Sequence, residues 1–273
     1  MIKIPIFIIC LQSVRYKMCK ESQPKLETIF KDVHIYPAVE SSLIKPNDNR
    51  LSAYAKYHIK YSLDLDEMHL SSMGAVGCYL SHQELWKKAL KLNTPIIIIE
   101  DDVQIDINFM ITAIQSIPNS ADHAALIYLP WVGPADCNDL WCTPKKRDSV
   151  LGTQMYYITP RGASELLKQA LPIVAPVDVY INYIASTNKN FKSVFYKHSY
   201  FPFYQPLIQE VHSTIGRHFS IKKIFMPESN IYYAIVAFGV IFVYIKPKLH
   251  SECICKSNQK TKKTAEYNKL VDV

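Results

Sequence analysis

Four consecutive isoleucines at residues 96–99 run directly into three consecutive carboxylates, Glu100, Asp101 and Asp102. The β-branched run predicts a strand buried within a sheet. In open α/β sheets, ligands bind beyond the carboxyl ends of the strands, and adjacent acids repel unless a cation or hydrogen bonds compensate them. A hard divalent cation, Mg²⁺ or Mn²⁺, is the natural partner and can bridge a diphosphate. A solvated acidic turn is the alternative. Strand alternation predicts Glu100 and Asp102 on one side and Asp101 on the other.

The rest of the chain alternates strand and helix patterns, which predicts an α/β fold with a mostly parallel sheet flanked by helices. The continuously apolar residues 4–11 predict a first strand that is buried on both faces. Residues 78–92 carry an apolar stripe at helical spacing. The remaining predicted strands are residues 33–37, 125–129, 153–158 and 191–196.

Turn-forming residues mark the segments between these elements. Residues 41–71 and 131–149 are predicted as loops, where acceptor specificity would lie. Thr159 followed by Pro160 predicts a capped helix that runs to about residue 171.

Glycine is scarce, with only 7 in 273 residues. Neither G-x-G-x-x-G nor G-x-x-x-x-G-K-[ST] occurs, which argues against a dinucleotide-binding Rossmann enzyme and a P-loop NTPase. A nucleotide would therefore be held through carboxylates and a metal rather than in a glycine cradle.

The net charge of +7 is concentrated near the end of the chain. Residues 246–273 contain seven lysines against three acids, while residues 1–214 are almost neutral. A nucleic-acid binder more often spreads its charge over a folded face, so we expect no nucleic-acid partner. Residues 246–273 are predicted to be a flexible basic tail.

An uncharged apolar run at residues 231–245 precedes this tail. As a helix it would span roughly 22 Å, short of a ~30 Å hydrocarbon core. It could be a marginal transmembrane or membrane-dipping anchor, a buried terminal helix or strand pair, or an interfacial helix. The basic residues around it favour contact with anionic lipid, so residues 217–245 are predicted to associate with a membrane surface.

The seven cysteines are irregularly spaced, and no histidine stands at zinc-finger spacing beside Cys137 and Cys142 or beside Cys253 and Cys255. We expect free thiols in a reducing compartment. No small-residue cleavage site follows the apolar N-terminus, so a signal peptide is not predicted and a cytoplasmic location is expected.

The order of several motifs resembles glycosyltransferase family 25, which includes lipooligosaccharide-biosynthesis and procollagen galactosyltransferases. An apolar strand with E-D-D lies between G-x-x-G-C-x-x-S-H and G-T-x-x-Y-x-I-T-x-x-G-A, and P-V-D follows. The opening I-C-L-Q-S-V-R is similar to the family's I-N-L-x-x-S-x-x-R, with Cys10 in place of the usual Asn. The motifs are at residues 9–15, 37–40, 74–82, 100–102, 152–163, 176–178 and 205–215.

The resemblance implies a GT-A-like catalytic domain at residues 1–216 with a nucleotide-sugar donor, usually UDP-galactose or UDP-glucose. It also implies an inverting, metal-assisted transfer to a glycan or glycolipid such as lipooligosaccharide, and hence β-galactosyltransferase activity. By the same resemblance, Asp102 would contact Mn²⁺ or Mg²⁺. Asp101 or Glu100 would then orient the ribose or a metal-bound water.

Further candidate residues lie around this motif. An inverting transfer needs a group that takes the acceptor proton, and Asp178 is the best candidate base, although it could equally cap a helix at residues 179–185. Ser81 and His82 could position donor or acceptor, while His82 could instead be a satisfied histidine inside its helix. Arg15 could reach a phosphate or be an exposed surface residue. The substrate-binding set is completed by Gly152, and His198 and His212 are possible further metal ligands.

A second interpretation is a catalytically decayed transferase fold that acts as a membrane-attached carbohydrate-binding protein. The intact acidic motif argues against it, whereas Cys10 and the shortened N-terminal motif leave it open.

Overall fold

A computed structural model describes residues 1–12, 15–61, 70, 72–103, 107–117, 135–138, 141–144 and 152–196. All of them belong to one compact unit, Met1–His218. Within these residues, no helix combines the length and the hydropathy needed to cross a bilayer. The predictions for residues 217–273 and for the strand at residues 125–129 lie outside the described residues.

The central sheet has four strands in the order β2-β1-β3-β6. The first three are parallel, and Ile8 pairs with Ile35 on one side and Ile99 on the other. The last runs antiparallel, with Tyr156 opposite Ile98. The α/β fold with a mostly parallel sheet is therefore confirmed. The strands are β1 (Ile6–Cys10), β2 (Val33–Pro37), β3 (Ile96–Glu100) and β6 (Met155–Ile158).

Helices cover both faces of this sheet. Alternate residues of β3 belong to two different apolar clusters, with Ile96 and Ile98 in one and Ile97 and Ile99 in the other. The first cluster includes residues of α3, α5 and α6, and the second includes residues of α1 and α4. Burial on both faces explains why these strands are continuously apolar. The helices are α1 (Tyr16–Glu27), α2 (Ala53–Tyr61), α3 (Met73–Leu92), α4 (Ile107–Gln115), α5 (Pro160–Leu167) and α6 (Val177–Thr187).

Helix α3 is longer than its predicted span because Ser72 caps it by accepting a hydrogen bond from the Ala75 N–H. The early turns contain Gly77, where an added Cβ would lie 2.5 Å from the Val39 carbonyl oxygen. This glycine lets the helix approach the chain that leaves β2. The Thr159 cap of α5 is confirmed, since its hydroxyl accepts from the Gly162 N–H.

Both predicted loops contain regular structure. The 41–71 segment includes a 3-10 turn at Ser41–Leu43 and helix α2, where the Ser52 hydroxyl accepts from the Ala55 N–H. The 131–149 segment contains strands β4 (Ala135–Asn138) and β5 (Trp141–Pro144). With β7 (Phe195–Tyr196) they form a second, antiparallel sheet. Its strands have only 4, 4 and 2 residues, which is too short for an alternation of apolar and polar residues to be recognised in the sequence.

The expectation of free thiols is wrong for most of the described cysteines. Cys10 at the end of β1 is bonded to Cys19 in α1, and Cys142 is also in a disulfide, whereas Cys78 is free. The strand-to-helix turn after β1 brings two cysteines together that are nine residues apart. The inference of a reducing compartment loses its basis with this result.

Candidate active site

The acidic motif lies at the carboxyl edge of the central sheet, where β3 ends at Glu100. Because β1 and β3 are parallel, the turn after β1 reaches the same edge and supplies Arg15. Helix α3 contributes His82, and the segment that leads into β6 contributes Thr153. Several predicted site residues are therefore brought together around one strand end.

Glu100 is held by two side chains from neighbouring elements. Its Oε1 accepts from the Thr153 hydroxyl at 2.6 Å and lies 3.3 Å from Nε2 of His82. Burial alone would raise the pKa of this carboxyl. The hydrogen bond and charge of His82, with the Thr153 hydroxyl, outweigh burial and lower the pKa of Glu100 below its usual value. Glu100 is therefore an oriented carboxylate.

A buried chain of polar groups stands behind Glu100. Nδ1 of His82 lies 2.8 Å from the Tyr156 hydroxyl, which accepts from Nε1 of Trp86 at 2.9 Å. A carboxylate can only accept, so the His82 Nε2 that faces Glu100 carries a proton. The interpretation of His82 as a satisfied, fully buried histidine is confirmed, and its partner is the acidic motif.

Asp101 forms a buried ion pair on the other side of the strand end. Its Oδ1 lies 2.6 Å from Nη1 of Arg15, and its Oδ2 accepts from the Leu11 N–H at 2.7 Å. The two side chains are only 7% and 8% exposed. Arg15 is therefore not an exposed surface residue, and contact with a phosphate stays a prediction.

Asp102 is less completely bonded than its two neighbours. Its Oδ2 lies 3.4 Å from Nη1 of Arg15, whereas its Oδ1 is buried with no hydrogen-bond partner in the described part of the chain. Burial, then the negative charge of Glu100, raises the pKa of Asp102 to about 6 despite the opposing charge of Arg15. Glu100 and Asp101 thus have different partners, as the predicted alternation along the strand end requires. Asp102 contacts Arg15, which is also the partner of Asp101.

These contacts decide which acid fits a divalent cation. Asp101 has both oxygens occupied, and Oε1 of Glu100 already has two partners. Among the residues that the structure describes, no donor reaches the Asp102 Oδ1, and an acceptor of this kind suits a cation. Mg²⁺ is commonly bound through one or two carboxylates together with substrate phosphates and water. The unpartnered Oδ1 of Asp102, as seen within the described residues, therefore fits a divalent cation, while the cation and a bound diphosphate stay predictions.

Asp178 lies close to the acidic motif through the segment before β6. Its Oδ2 accepts from the Gly152 N–H at 2.8 Å, and its Oδ1 accepts from the Val179 N–H at 2.9 Å. Gly152 has a φ of 90°, in the left-handed region that favours glycine. The prediction that Asp178 caps α6 is wrong, because the helix begins at Val177 and Asp178 lies in its first turn.

Cys78 lies within electrostatic reach of the three acids of the motif and of Asp178. Burial raises the pKa of its thiol, and the negative charges of Glu100, Asp178, Asp102 and Asp101 raise it further. Asp178 therefore lies near the acidic motif despite their separation in sequence, as its bond to Gly152 beside Thr153 also shows. A carboxylate set of this kind can combine cation binding with proton transfer.

Ser81 is fully buried and joins two elements. Its hydroxyl donates to the Gly77 carbonyl oxygen at 2.7 Å and accepts from the Val39 N–H at 2.8 Å. These bonds fasten the chain after β2 to α3, and a role of Ser81 toward substrate stays a prediction. The possible metal ligands His198 and His212 lie outside the described residues.

Sequence reasoning missed Tyr156 and Trp86. Trp86 stands four residues after His82, hence on the same face of α3, which was a usable signal. Tyr156 is on a strand more than seventy residues away, and only the fold brings its hydroxyl to the histidine.

Part of this chain is similar in sequence to known glycosyltransferases. Residues 3–132 match the model of glycosyltransferase family 25, described as an LPS biosynthesis protein family. A "Glycosyltransferase 25 family member" of Aedes aegypti is 26% identical over 167 residues, covering 58% of this chain and 27% of the relative. A protein of the same name from Drosophila pseudoobscura pseudoobscura is 26% identical over 133 residues, covering 42% of this chain and 21% of the relative. The chain thus matches under a third of the length of these curated relatives.

Proposed function

Because this chain belongs to glycosyltransferase family 25, we propose that it transfers a hexose, galactose or glucose, from a UDP-sugar to a saccharide acceptor such as lipooligosaccharide. The proposal includes inversion at the anomeric carbon, and hence a β-linkage. The observation that carries it is the buried Oδ1 of Asp102, which has no hydrogen-bond partner among the described residues and belongs to a group of acids that includes Asp178.

On the donor side, Asp102 would hold Mn²⁺ or Mg²⁺ through Oδ1. When bound, the metal would supply positive charge to the diphosphate that leaves. Asp101 keeps Arg15 and the turn after β1 in place, and Glu100, held by His82 and Thr153, presents an oriented carboxylate to the ribose or to water.

On the acceptor side, Asp178 is the proposed general base. The N–H groups of Gly152 and Val179 fix the orientation of its carboxylate. In the proposed step, an acceptor hydroxyl loses its proton to Asp178 and its oxygen forms a bond to the anomeric carbon. The bond from that carbon to the diphosphate breaks on the opposite face, and UDP leaves with the electron pair.

We also propose that the enzyme works at a membrane surface. The basic excess around the apolar residues 231–245 supports this proposal, because lysines and arginines attract anionic lipid. Flotation with anionic and neutral liposomes at low salt tests it. Binding to anionic liposomes supports it, and a protein that stays unbound to both contradicts it.

The test of the reaction is incubation of the full chain with a panel of UDP-sugars, Mn²⁺ and saccharide or lipid acceptors. We expect one hexose to be transferred, and we expect Asp178→Asn to lower kcat by about 10²–10⁴-fold, as for loss of a general base. Glu21→Gln is the matched control, since Glu21 is an exposed carboxylate on α1 that pairs with Lys17, and its replacement should leave kcat unchanged.

If no donor is transferred or hydrolysed, the enzyme proposal fails. Retained binding of a glycan to such an inactive protein would instead support the carbohydrate-binding alternative.

A further inference from the structure

A sulfur, a nitrogen and an oxygen ligand meet beside the acidic motif. One ligand atom each from Cys78, His82 and Glu100 lies within 4.8 Å of the others. Cys78 and His82 are four residues apart on α3, so their side chains project from the same face of the helix. Glu100 completes the set from the end of β3.

This ligand set differs in chemistry from the site at Asp102. Thiolate, imidazole and carboxylate are the ligands of Zn²⁺, whereas Mg²⁺ and Mn²⁺ prefer oxygen alone. Around a tetrahedral zinc ion with bonds of about 2.0–2.3 Å, ligand atoms lie about 3.3–3.8 Å apart. Because the atoms start at most 4.8 Å apart, each separation needs to shorten by at most about 1.5 Å.

Two of the three ligands already have the outer partners that metal ligands require. The Tyr156 hydroxyl lies 2.8 Å from Nδ1 of His82, which directs Nε2 toward Glu100 and Cys78. The Thr153 hydroxyl donates to Glu100 at 2.6 Å. Such contacts to the far nitrogen of a histidine and to a carboxylate are typical around zinc sites. The Tyr156 hydroxyl can accept from Nδ1–H when Nε2 bears a metal.

The carboxylates near Cys78 favour a cation bound to its sulfur over a thiol without a metal. Four carboxylates lie near enough to Cys78 to act electrostatically against its ionisation. A divalent ion reverses that effect, because it adds positive charge among them. Cys78 forms no disulfide, so its sulfur is available as a ligand.

We propose that Cys78, His82 and Glu100 form a second cation site, which binds Zn²⁺ and is separate from the site at Asp102. On binding, the sulfur–hydrogen bond of Cys78 is replaced by a sulfur–zinc bond, and the proton goes to water. Zinc also replaces the contact between His82 and Glu100, so it withdraws Glu100 from substrate. This inhibitory effect rests on the proposed transferase function, whereas zinc binding does not.

The test uses the full chain with Cys253 and Cys255 replaced by serine, which removes the sulfur ligands of the C-x-C sequence. Co²⁺ serves as the optical probe and Zn²⁺ as its competitor. We expect one equivalent of Co²⁺ to give a near-ultraviolet thiolate band that Zn²⁺ abolishes. Cys78→Ser should remove the band and weaken Zn²⁺ binding at least tenfold. Asp102→Asn should keep both, because the two sites are separate.

A band that persists in Cys78→Ser overturns the proposal, and so does the absence of any band in the parent chain. Protection of Cys78 from alkylation by Zn²⁺, followed by peptide mass spectrometry, gives a second measurement that needs no substitution. Alkylation at an unchanged rate also contradicts the site.

The inhibition is measured separately. Zn²⁺ should slow UDP-sugar turnover in the presence of Mn²⁺, and Cys78→Ser should relieve the effect. Zinc binding without any turnover would refute the transferase function and leave the metal site standing. Turnover that is insensitive to bound zinc would refute the inhibitory role.

Discussion

Asp101 and Asp102 are adjacent in sequence and differ in almost every physical respect. The Asp101 side chain is 7% exposed and both of its oxygens are bonded, to Arg15 and to the Leu11 N–H. The Asp102 side chain is 36% exposed, has one buried oxygen without a partner among the described residues, and has a pKa of about 6. The fold thus satisfies one acid completely and leaves its neighbour under-bonded.

This difference gives the two neighbouring acids different roles, one structural and one in ligand binding. Buried polar groups in proteins are usually hydrogen-bonded, and exceptions concentrate at functional sites. Asp101 therefore braces the turn that carries Arg15, while Asp102 is available for a ligand.

The largest expected effect on stability comes from removing the ion pair between Arg15 and Asp101. Arg15→Met leaves a carboxylate buried without its cation, which typically costs about 3–5 kcal/mol of unfolding free energy. Denaturant titration measures the loss. Adding Asp101→Asn to Arg15→Met should recover part of it, since the buried charge is gone. A double variant no more stable than Arg15→Met would show that the ion pair is not the cause.

A smaller loss of stability is expected when the buried hydrogen bonds of Tyr156, behind Glu100, are removed. Tyr156→Phe removes the acceptor of the Trp86 N–H and the partner of His82 Nδ1, which should cost about 1–3 kcal/mol of unfolding free energy. Tyr157→Phe is the control, because it removes the same atom on the opposite face of β6. Equal losses for the two variants, measured by denaturant titration, would contradict the proposed chain of hydrogen bonds.

The smallest expected effect is a gain in stability rather than a loss, and it concerns Asp102. The folded-state pKa of Asp102, about 6, lies above its ordinary value of 3.8, so the folded protein holds this proton more tightly than the unfolded chain does. Stability from this group is fully present below the ordinary pKa and is lost as pH rises through about 6. Asp102→Asn removes the charge that causes this loss.

We therefore expect Asp102→Asn to be more stable than the parent at neutral pH by about 1 kcal/mol, after allowing for solvent screening of a part-exposed group. Thermal unfolding at neutral pH and at about pH 4 measures the difference, which should shrink at the acidic end. A variant that is less stable at neutral pH would show that Asp102 is not strained by its neighbours.

The apolar strands could be predicted because each is buried on both faces, which leaves a continuous apolar run in the sequence. Strand β2 has its predicted bounds, and the predicted residues 96–99 gain only Glu100 in β3. Helix α2, of which only Ala55 and His58 are buried, leaves a much weaker pattern and was missed. The early turns of α3 were missed because Gly77 suggests a loop until its close approach to Val39 is known.

The candidate site shows the same limit. The acidic motif and Asp178 could be selected from sequence because carboxylates in this order are chemically informative. The division of roles between Asp101 and Asp102 could not, because it depends on the position of Arg15 after a different strand. The bond between Cys10 and Cys19 depends on the turn after β1, which an odd number of cysteines does not reveal.

The most direct test of this division is calorimetric measurement of UDP binding with and without Mn²⁺, in the parent chain and in Asp102→Asn. We predict that Mn²⁺ tightens UDP binding at least tenfold in the parent, a difference of about 1.4 kcal/mol. In Asp102→Asn, which should remain folded, Mn²⁺ should have no effect on UDP affinity. Equal tightening by Mn²⁺ in both proteins would contradict the assignment of Asp102 as the metal-binding carboxylate.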